Sequence, residues 1–284
     1  MHIPDDVRKC VVFLGYRTAD QSFRLAGTGW YAGHQIPGTG QSWSFLVTAR
    51  HVIDGIRDHG SRAVWVRLNH SDSTAGWYET DWADWSFHPT DAAVDVAVIP
   101  AGLSDGMDHL MYPTARFATE EVIRNEGIGV GEELFLTGLF AHHFGQHRNI
   151  PIVRVGNIAA MPEEPVLTRS GSMEAYLVEA RSIGGLSGSP VFVHLGVVRS
   201  VQGTLKYAQS GGIFYLLGLM HGHWDATLLD VDTTEEDFGQ VGRNVNMGIG
   251  IVVPAWRISD AIGHRVSIME RNAVQGADDV PTEA

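Results

Sequence analysis

The sequence is nearly without cysteine: Cys10 stands alone in 284 residues. No internal disulfide can form, and nothing points to an oxidising compartment. Lysine is scarce, no Lys/Arg-rich run occurs, and 20 Lys and Arg face 33 Asp and Glu, for a formal net charge of −13. Phosphate-backbone binding needs clustered cations, so nucleic acid is excluded as an expected partner. No run of 18 apolar residues exists, so no transmembrane helix and no membrane partner is expected. The stretch Met1 to Lys9 is polar, with Pro4, Asp5 and Asp6. It lacks a positive n-region followed by an apolar h-region and does not read as a signal peptide. A cytoplasmic protein is the default expectation. Long helical periodicity is also scarce, and there is no internal repeat or low-complexity block.

What is present is a globular composition, with 44% hydrophobic and 19% charged residues. Such a chain can bury a sizeable core, as one large domain or two small ones. Glycine is abundant, at 33 residues, among short β-branched and aromatic runs. Strands are predicted at 10–16, 27–32, 43–48, 63–68, 95–99, 133–139, 152–158, 176–180, 190–193, 196–204, 214–221 and 248–254. Turn signals separate them, which predicts an all-β fold, a barrel or a sandwich. A short helix is predicted at 51–58. A longer one is predicted at 255–269, with Ile258, Ala261, Ile262 and Val266 on one face. Residues 103–124 read as an irregular link between halves, and 272–284 as a small, polar, acidic tail without fixed structure.

Three segments carry candidate chemistry. Residues 182–193 read S-I-G-G-L-S-G-S-P-V-F-V, with Ser187 among Gly184, Gly185 and Gly188 just before an apolar strand. A nucleophilic serine beside an oxyanion hole needs a tight turn whose N–H groups converge. A plain Gly/Ser turn has the same composition. Residues 47–53, V-T-A-R-H-V-I, put His51 after a β-run. Residues 94–99, V-D-V-A-V-I, put Asp95 between valines, where a buried carboxylate needs a partner. Together they supply what acyl transfer requires. Serine needs a base, neutral imidazole is that base near pH 7, and a carboxylate fixes its tautomer. The order is His, Asp, Ser, unlike α/β-hydrolases or subtilisins.

T-A-R-H-V, D-V-A-V-I and G-L-S-G-S-P resemble the three signature blocks of trypsin-like serine peptidases. A-G-T-G-W at 26–30 resembles the strand before the His block, and G-E-E-L-F-L-T-G at 131–138 the entry to the second barrel. M-G-I-G-I-V-V-P at 247–254, followed by a helix, resembles the end of the protease domain of bacterial HtrA-type members. No peptide-binding PDZ domain is expected after it. The resemblance implies two six-stranded antiparallel β-barrels in one peptidase domain. The first would span about 10–110, a linker 111–125, the second barrel 126–254, a C-terminal helix 255–271 and a tail 272–284. It also implies a serine endopeptidase that works through an acyl-enzyme, needs no cofactor and acts on a protein or peptide substrate. Ser187 would be the nucleophile, His51 the base and acid, and Asp95 the orienting carboxylate. The N–H groups of Gly185 and Ser187 would form the oxyanion hole.

The sequence departs from the family in places. Leu186 stands where trypsin has the zymogen Asp, so N-terminal capture is not the expected switch, and a regulatory partner or an unformed oxyanion hole is an alternative. Ser189 replaces the usual second Gly. By the family's pattern Arg181 occupies a pocket-floor position and would select an acidic side chain; otherwise it points to solvent. His221 would hydrogen-bond a Glu or Gln side chain, or is structural, and His223 lies nearby in the same strand. His221, His223 and Asp225 also form an H-x-H-x-D pattern, and His142, His143 and His147 a second cluster. Both sit at expected hairpins, and no metal is expected. The rival to an active peptidase is a latent or inactive peptide-binding module on the same fold.

Overall fold

The computed structural model of the chain describes residues 3–168, 171–180, 185–201, 203–207, 213–227 and 244–278. After a short helix α1 (Asp5–Lys9), the first half contains β1 (Val11–Arg17), β2 (Phe23–Gln35), β3 (Ser42–Thr48), β4 (Ala63–Asn69), β5 (Ala75–Asp81), β6 (Ser86–Phe87), β7 (Ala97–Pro100) and β8 (Tyr112–Pro113). Helix α2 (Arg50–Asp58) follows β3 directly. The strands form one sheet in the order β5-β4-β1-β2-β3-β7-β6, with β8 alongside β2.

This sheet corrects the expectation of a first closed six-stranded barrel, because its two edges, β5 and β6, are not joined by a ladder. The reason is local. Asp81 accepts a hydrogen bond from Ala83 N and caps a 3₁₀ turn at Trp82–Asp84, which carries the chain from one edge to the other. The strand that resumes is only two residues long. Pro89 follows it two residues on, without a ladder donor. Edge strand β5 is half-buried to exposed and carries the exposed Glu79 and Asp81, charges that discourage further strand addition.

The second half is a closed barrel. It comprises β9 (Glu133–Gly138), β10 (Ile152–Ala160), β13 (Tyr176–Glu179), β14 (Pro190–Leu195), β17 (Ile213–Thr227) and β18 (Asn244–Pro254), in the order β10-β13-β18-β17-β14-β9. Two hairpins project from it, β11 (Val166–Thr168) with β12 (Gly171–Met173) and β15 (Val198–Val201) with β16 (Thr204–Tyr207). The second of these replaces the single strand expected at 196–204, because the chain reverses at Gly203, whose φ of 79° suits glycine. The link at 111–125 is less irregular than expected: it holds β8, a 3₁₀ turn and most of α3 (Glu120–Glu126). Thr119 caps α3 by accepting from Val122 N.

Leu134, Leu136, Val178, Val191, Val193, Leu217 and Val252 are buried together inside the closed barrel. Phe135 and Phe192 face outward and join the core of the first half, stacked with centroids 5.1 Å apart. The C-terminal helix α4 (Ala255–Asp278) runs longer than expected and buries Ile258, Ala261, Ile262 and Val266, the face read from the sequence. It packs on β6, β7 and β17 and so spans both halves. Residues 279–284 of the expected tail lie outside the described residues.

A polar clamp ties the halves together away from the cleft. Buried Arg67 on β4 donates to the carbonyls of Gly145 and Gln146 and to Asn149 Oδ1, at 2.8–2.9 Å. Asn69 N donates to His109 Nε2 at 2.6 Å, and His109 Nδ1 bonds the Lys9 carbonyl at 2.9 Å. A ring that accepts at Nε2 and donates at Nδ1 is neutral. Burial pushes the His109 pKa down, with Arg148 and His70 adding to it against the Lys9 carbonyl and Asp108. A depressed histidine pKa means that the unfolded chain binds more protons, so this part of the stability is present above about pH 6.5 and lost as pH falls below it. His51, described below, contributes with the opposite sign, so a variant comparison is needed. In denaturant titrations from about pH 7.5 to 5, His109→Gln, which keeps an acceptor but cannot titrate, should lose less stability on acidification than the parent. An unchanged slope in the variant would contradict the assignment.

Candidate active site

His51 is placed by the β3–α2 junction. Ala49 occupies the N-cap of α2 with extended backbone and no side chain able to cap. The first helical N–H groups therefore need an outside acceptor. Asp95 supplies it from across the sheet: its Oδ1 accepts the His51 backbone N–H at 2.8 Å, while its Oδ2 lies 2.6 Å from His51 Nδ1. One carboxylate thus caps the helix and orients the ring it carries. The positive end of the helix favours the negative charge. Asp95 is 2% exposed, between buried Val94 and Val96, as the flanking valines predicted.

Ser187 comes from the turn before β14. Gly188 has φ 83°, and a Cβ there would lie 2.2 Å from the Thr28 carbonyl oxygen and 2.4 Å from Thr48 Oγ1. Only glycine lets the turn press so closely on the first sheet. Gly185, at φ 99°, also needs glycine, but a Cβ there would meet Leu139 at 3.0 Å, so packing between the halves is the constraint the structure shows at this position. Thr28 on β2 fastens the turn. Its N–H donates to the Ser187 carbonyl at 2.9 Å, and its hydroxyl donates to the Gly185 carbonyl at 2.7 Å. The same hydroxyl accepts from Leu139 N at 2.9 Å. Among the described residues, nothing takes the N–H of Gly185 or of Ser187. Ser189 is buried, and among the described residues its hydroxyl has no hydrogen-bond partner.

Of the two readings of His221, a substrate-selecting side chain or a structural one, the structure shows a contact within the site that neither specified. Its ring turns from the middle of β17 to Asp95, with Nδ1 2.5 Å from Oδ2, so that this nitrogen is taken by the carboxylate. Its backbone carbonyl accepts the Ser187 hydroxyl at 3.3 Å. No hydrogen bond joins Ser187 to the His51 ring among the described residues. The His51 and His221 rings stand edge to face, 5.3 Å apart. Burial disfavours the His51 cation, yet its pKa is raised, because the Asp95 hydrogen bond and charge, helped by Asp54, outweigh it. Burial likewise disfavours ionised Asp95, but hydrogen bonds from His221 and His51 and their charges hold its pKa well below the carboxylate range.

His223 is half-buried on the same strand. The β17–β18 ladder shifts register at Met220/Gly222 and again at His223/Asp225, so the simple alternation behind the H-x-H-x-D pattern does not hold there. Arg181 lies outside the described residues. His142, His143 and His147 do not converge with one another or with a carboxylate, and among the described residues His51, Asp95 and His221 form the one such cluster. Their Nδ1 atoms lie 2.5–2.6 Å from Oδ2. Ligands around a tetrahedral zinc ion, at about 2.0–2.1 Å from the metal, sit roughly 3.3 Å from one another. As placed, the three atoms make a hydrogen-bonded network, too tight to share a cation.

No protein-family model and no curated protein matches the chain. Among solved structures it is similar to the apo protease domain of MamO from Magnetospirillum magneticum, with a TM-score of 0.51, covering 89% of this chain and 96% of that one. This chain has the fold of a protease domain. The architecture, an open first sheet packed against a closed second barrel, fits the chymotrypsin type. At 15% identity, the likeness is one of fold.

Thr28 makes the site depend on the junction between halves. Thr28→Val removes the donor to Gly185 and the acceptor of Leu139 N, and should cost about 2 kcal/mol in denaturant unfolding. Thr28→Ser should restore most of it. Equal stability of Val and Thr at this position would show that the hydroxyl does not hold the turn.

Proposed function

We propose that the chain is a serine endopeptidase of the trypsin-like type, close in plan to HtrA protease domains. The observation that supports this most strongly is the His51–Asp95 pair, fixed at both carboxylate oxygens and joined through His221 to a glycine-framed Ser187 turn. Asp95 on Nδ1 leaves the His51 Nε2 lone pair as the base. In the reaction, the Ser187 hydroxyl leaves the His221 carbonyl and turns to Nε2, which takes its proton as Oγ bonds to the substrate carbonyl carbon. The carbonyl oxygen gains the electron pair and is held by the N–H groups of Gly185 and Ser187, each such donor being worth about 3 kcal/mol in related sites. His51 then protonates the leaving amine, the C–N bond breaks, and an acyl-Ser187 ester remains. Water, deprotonated by the same Nε2, cleaves the ester and restores the enzyme. No cofactor enters these steps.

For the substrate we favour a protein or peptide with an acidic or Gln side chain on the acyl side, selected by Arg181 and His223. His221 is engaged with Asp95 and is a weaker candidate for this selection. A cytoplasmic setting accords with the single cysteine. One observation favours the second reading, a latent or non-cutting peptide-binding module: the Ser187 hydroxyl bonds the His221 carbonyl instead of the His51 ring. A regulatory partner would then supply the shift of that hydroxyl.

Fluorophosphonate labelling separates the two. Stoichiometric labelling that is lost in Ser187→Ala is the expected result. Absence of labelling in folded protein, with or without peptide ligands, would contradict an active nucleophile and favour the binding module.

A further inference from the structure

Asp95 has more donors than an orienting carboxylate requires. Oδ1 takes the His51 backbone N–H, and Oδ2 takes both imidazoles. A carboxylate only accepts, so both Nδ1 atoms carry hydrogen and both rings are fixed as the tautomer with Nε2 open. The negative charge of Asp95 is what draws a second proton to His51. A further N–H donor at the same oxygen spends part of that charge on itself. His221 therefore opposes the effect of Asp95 on His51.

Among the described residues, no other group bonds Asp95. On its own helix, His51 faces Asp54, which raises its proton affinity. Asp54 is itself paired with Arg50 and Arg57 at 3.3–3.4 Å. Among the described residues of the second barrel, the His221 ring stands edge to face with His51 at 5.3 Å, and the neutral hydroxyl of Ser187 bonds the carbonyl of that same residue. The His221 side chain is 14% exposed, against 39% for His51, so water screens its contact with Asp95 little.

We infer that His221 is a positioning residue that lowers the proton affinity of His51 by sharing Asp95 Oδ2. The inference rests on the triad reading and deepens it: the base is tuned to stay neutral, and therefore able to accept the Ser187 proton, at a lower pH than a lone Asp–His pair would allow. The backbone carbonyl that receives Ser187 remains when the ring is removed, so substitution at 221 addresses the ring alone.

The test is a titration of the histidine ring nitrogens by NMR in ¹⁵N-histidine protein carrying Ser187→Ala, with His221 intact, His221→Ala or His221→Asn. In the Ala variant the His51 midpoint should rise by about one pH unit, tenfold in proton affinity. Asn can still present an N–H to Asp95 but cannot titrate, and should restore at least half of that shift. A His51 midpoint that stays put in both variants, or that falls, overturns the inference. Should the Ala variant fail to fold, His221→Leu, which also lacks a donor, takes its place: the same rise of about one pH unit, tenfold in proton affinity, supports the inference and an unmoved midpoint overturns it. In parallel, the pH dependence of fluorophosphonate labelling is read with Ser187 intact, and its acid limb should move with the midpoint. No labelling at any pH, with a shifted midpoint, sinks the nucleophile reading and leaves the role of His221 in place. Labelling with an unmoved limb and midpoint does the reverse.

Discussion

The buried carboxylate of Asp95 is the constraint on which the rest of the site depends. A charge at 2% exposure is tolerated only when its oxygens are filled. Here three donors fill them, drawn from the start of α2, the ring of His51 and the ring of His221 on the second barrel. The helix start, the tautomer of His51 and the docking of β17 against the first sheet are thus one electrostatic arrangement. Moving any of the three would leave the carboxylate under-satisfied, which is why a rather open first sheet can still hold a well-defined pair of groups.

A second tie, of neutral hydrogen bonds, holds the Ser187 turn. Thr28 reaches the carbonyls of Gly185 and Ser187 and the N–H of Leu139, and Thr48 Oγ1 donates to the Thr28 carbonyl at 2.7 Å. The aromatic contacts of Phe135 and Phe192 and the crossing of α4 seal the halves around these polar ties. The cleft is therefore built by groups belonging to both halves, and neither half alone carries all the candidate groups.

Much of this was legible in the sequence. The valines around Asp95 announced its burial, the glycines around Ser187 announced a tight turn, and the apolar face of 255–269 announced a helix laid on the core. The strands that were missed or merged are those with little apolar alternation. β5 is a polar edge, β8 is two residues long, and the β15–β16 hairpin turns on a single glycine inside a run that looks continuous. The expected closure of the first barrel failed because a capped 3₁₀ turn, rather than a ladder, joins its edges. The place of His221 was legible only as a histidine on a strand near the cleft. Which way its ring points depends on the register of β17 and on a carboxylate 126 residues away in sequence, which no local pattern encodes.

The most direct test of the account is Asp95→Asn, which keeps the shape and removes the charge. If the carboxylate organises the site, the variant should lose thermal stability, and the rate of Ser187 labelling by a fluorophosphonate should fall by about three to four powers of ten, as expected when the base is left in the wrong tautomer. A variant with the melting temperature and labelling rate of the parent would show that the site does not depend on Asp95, and the account would fail.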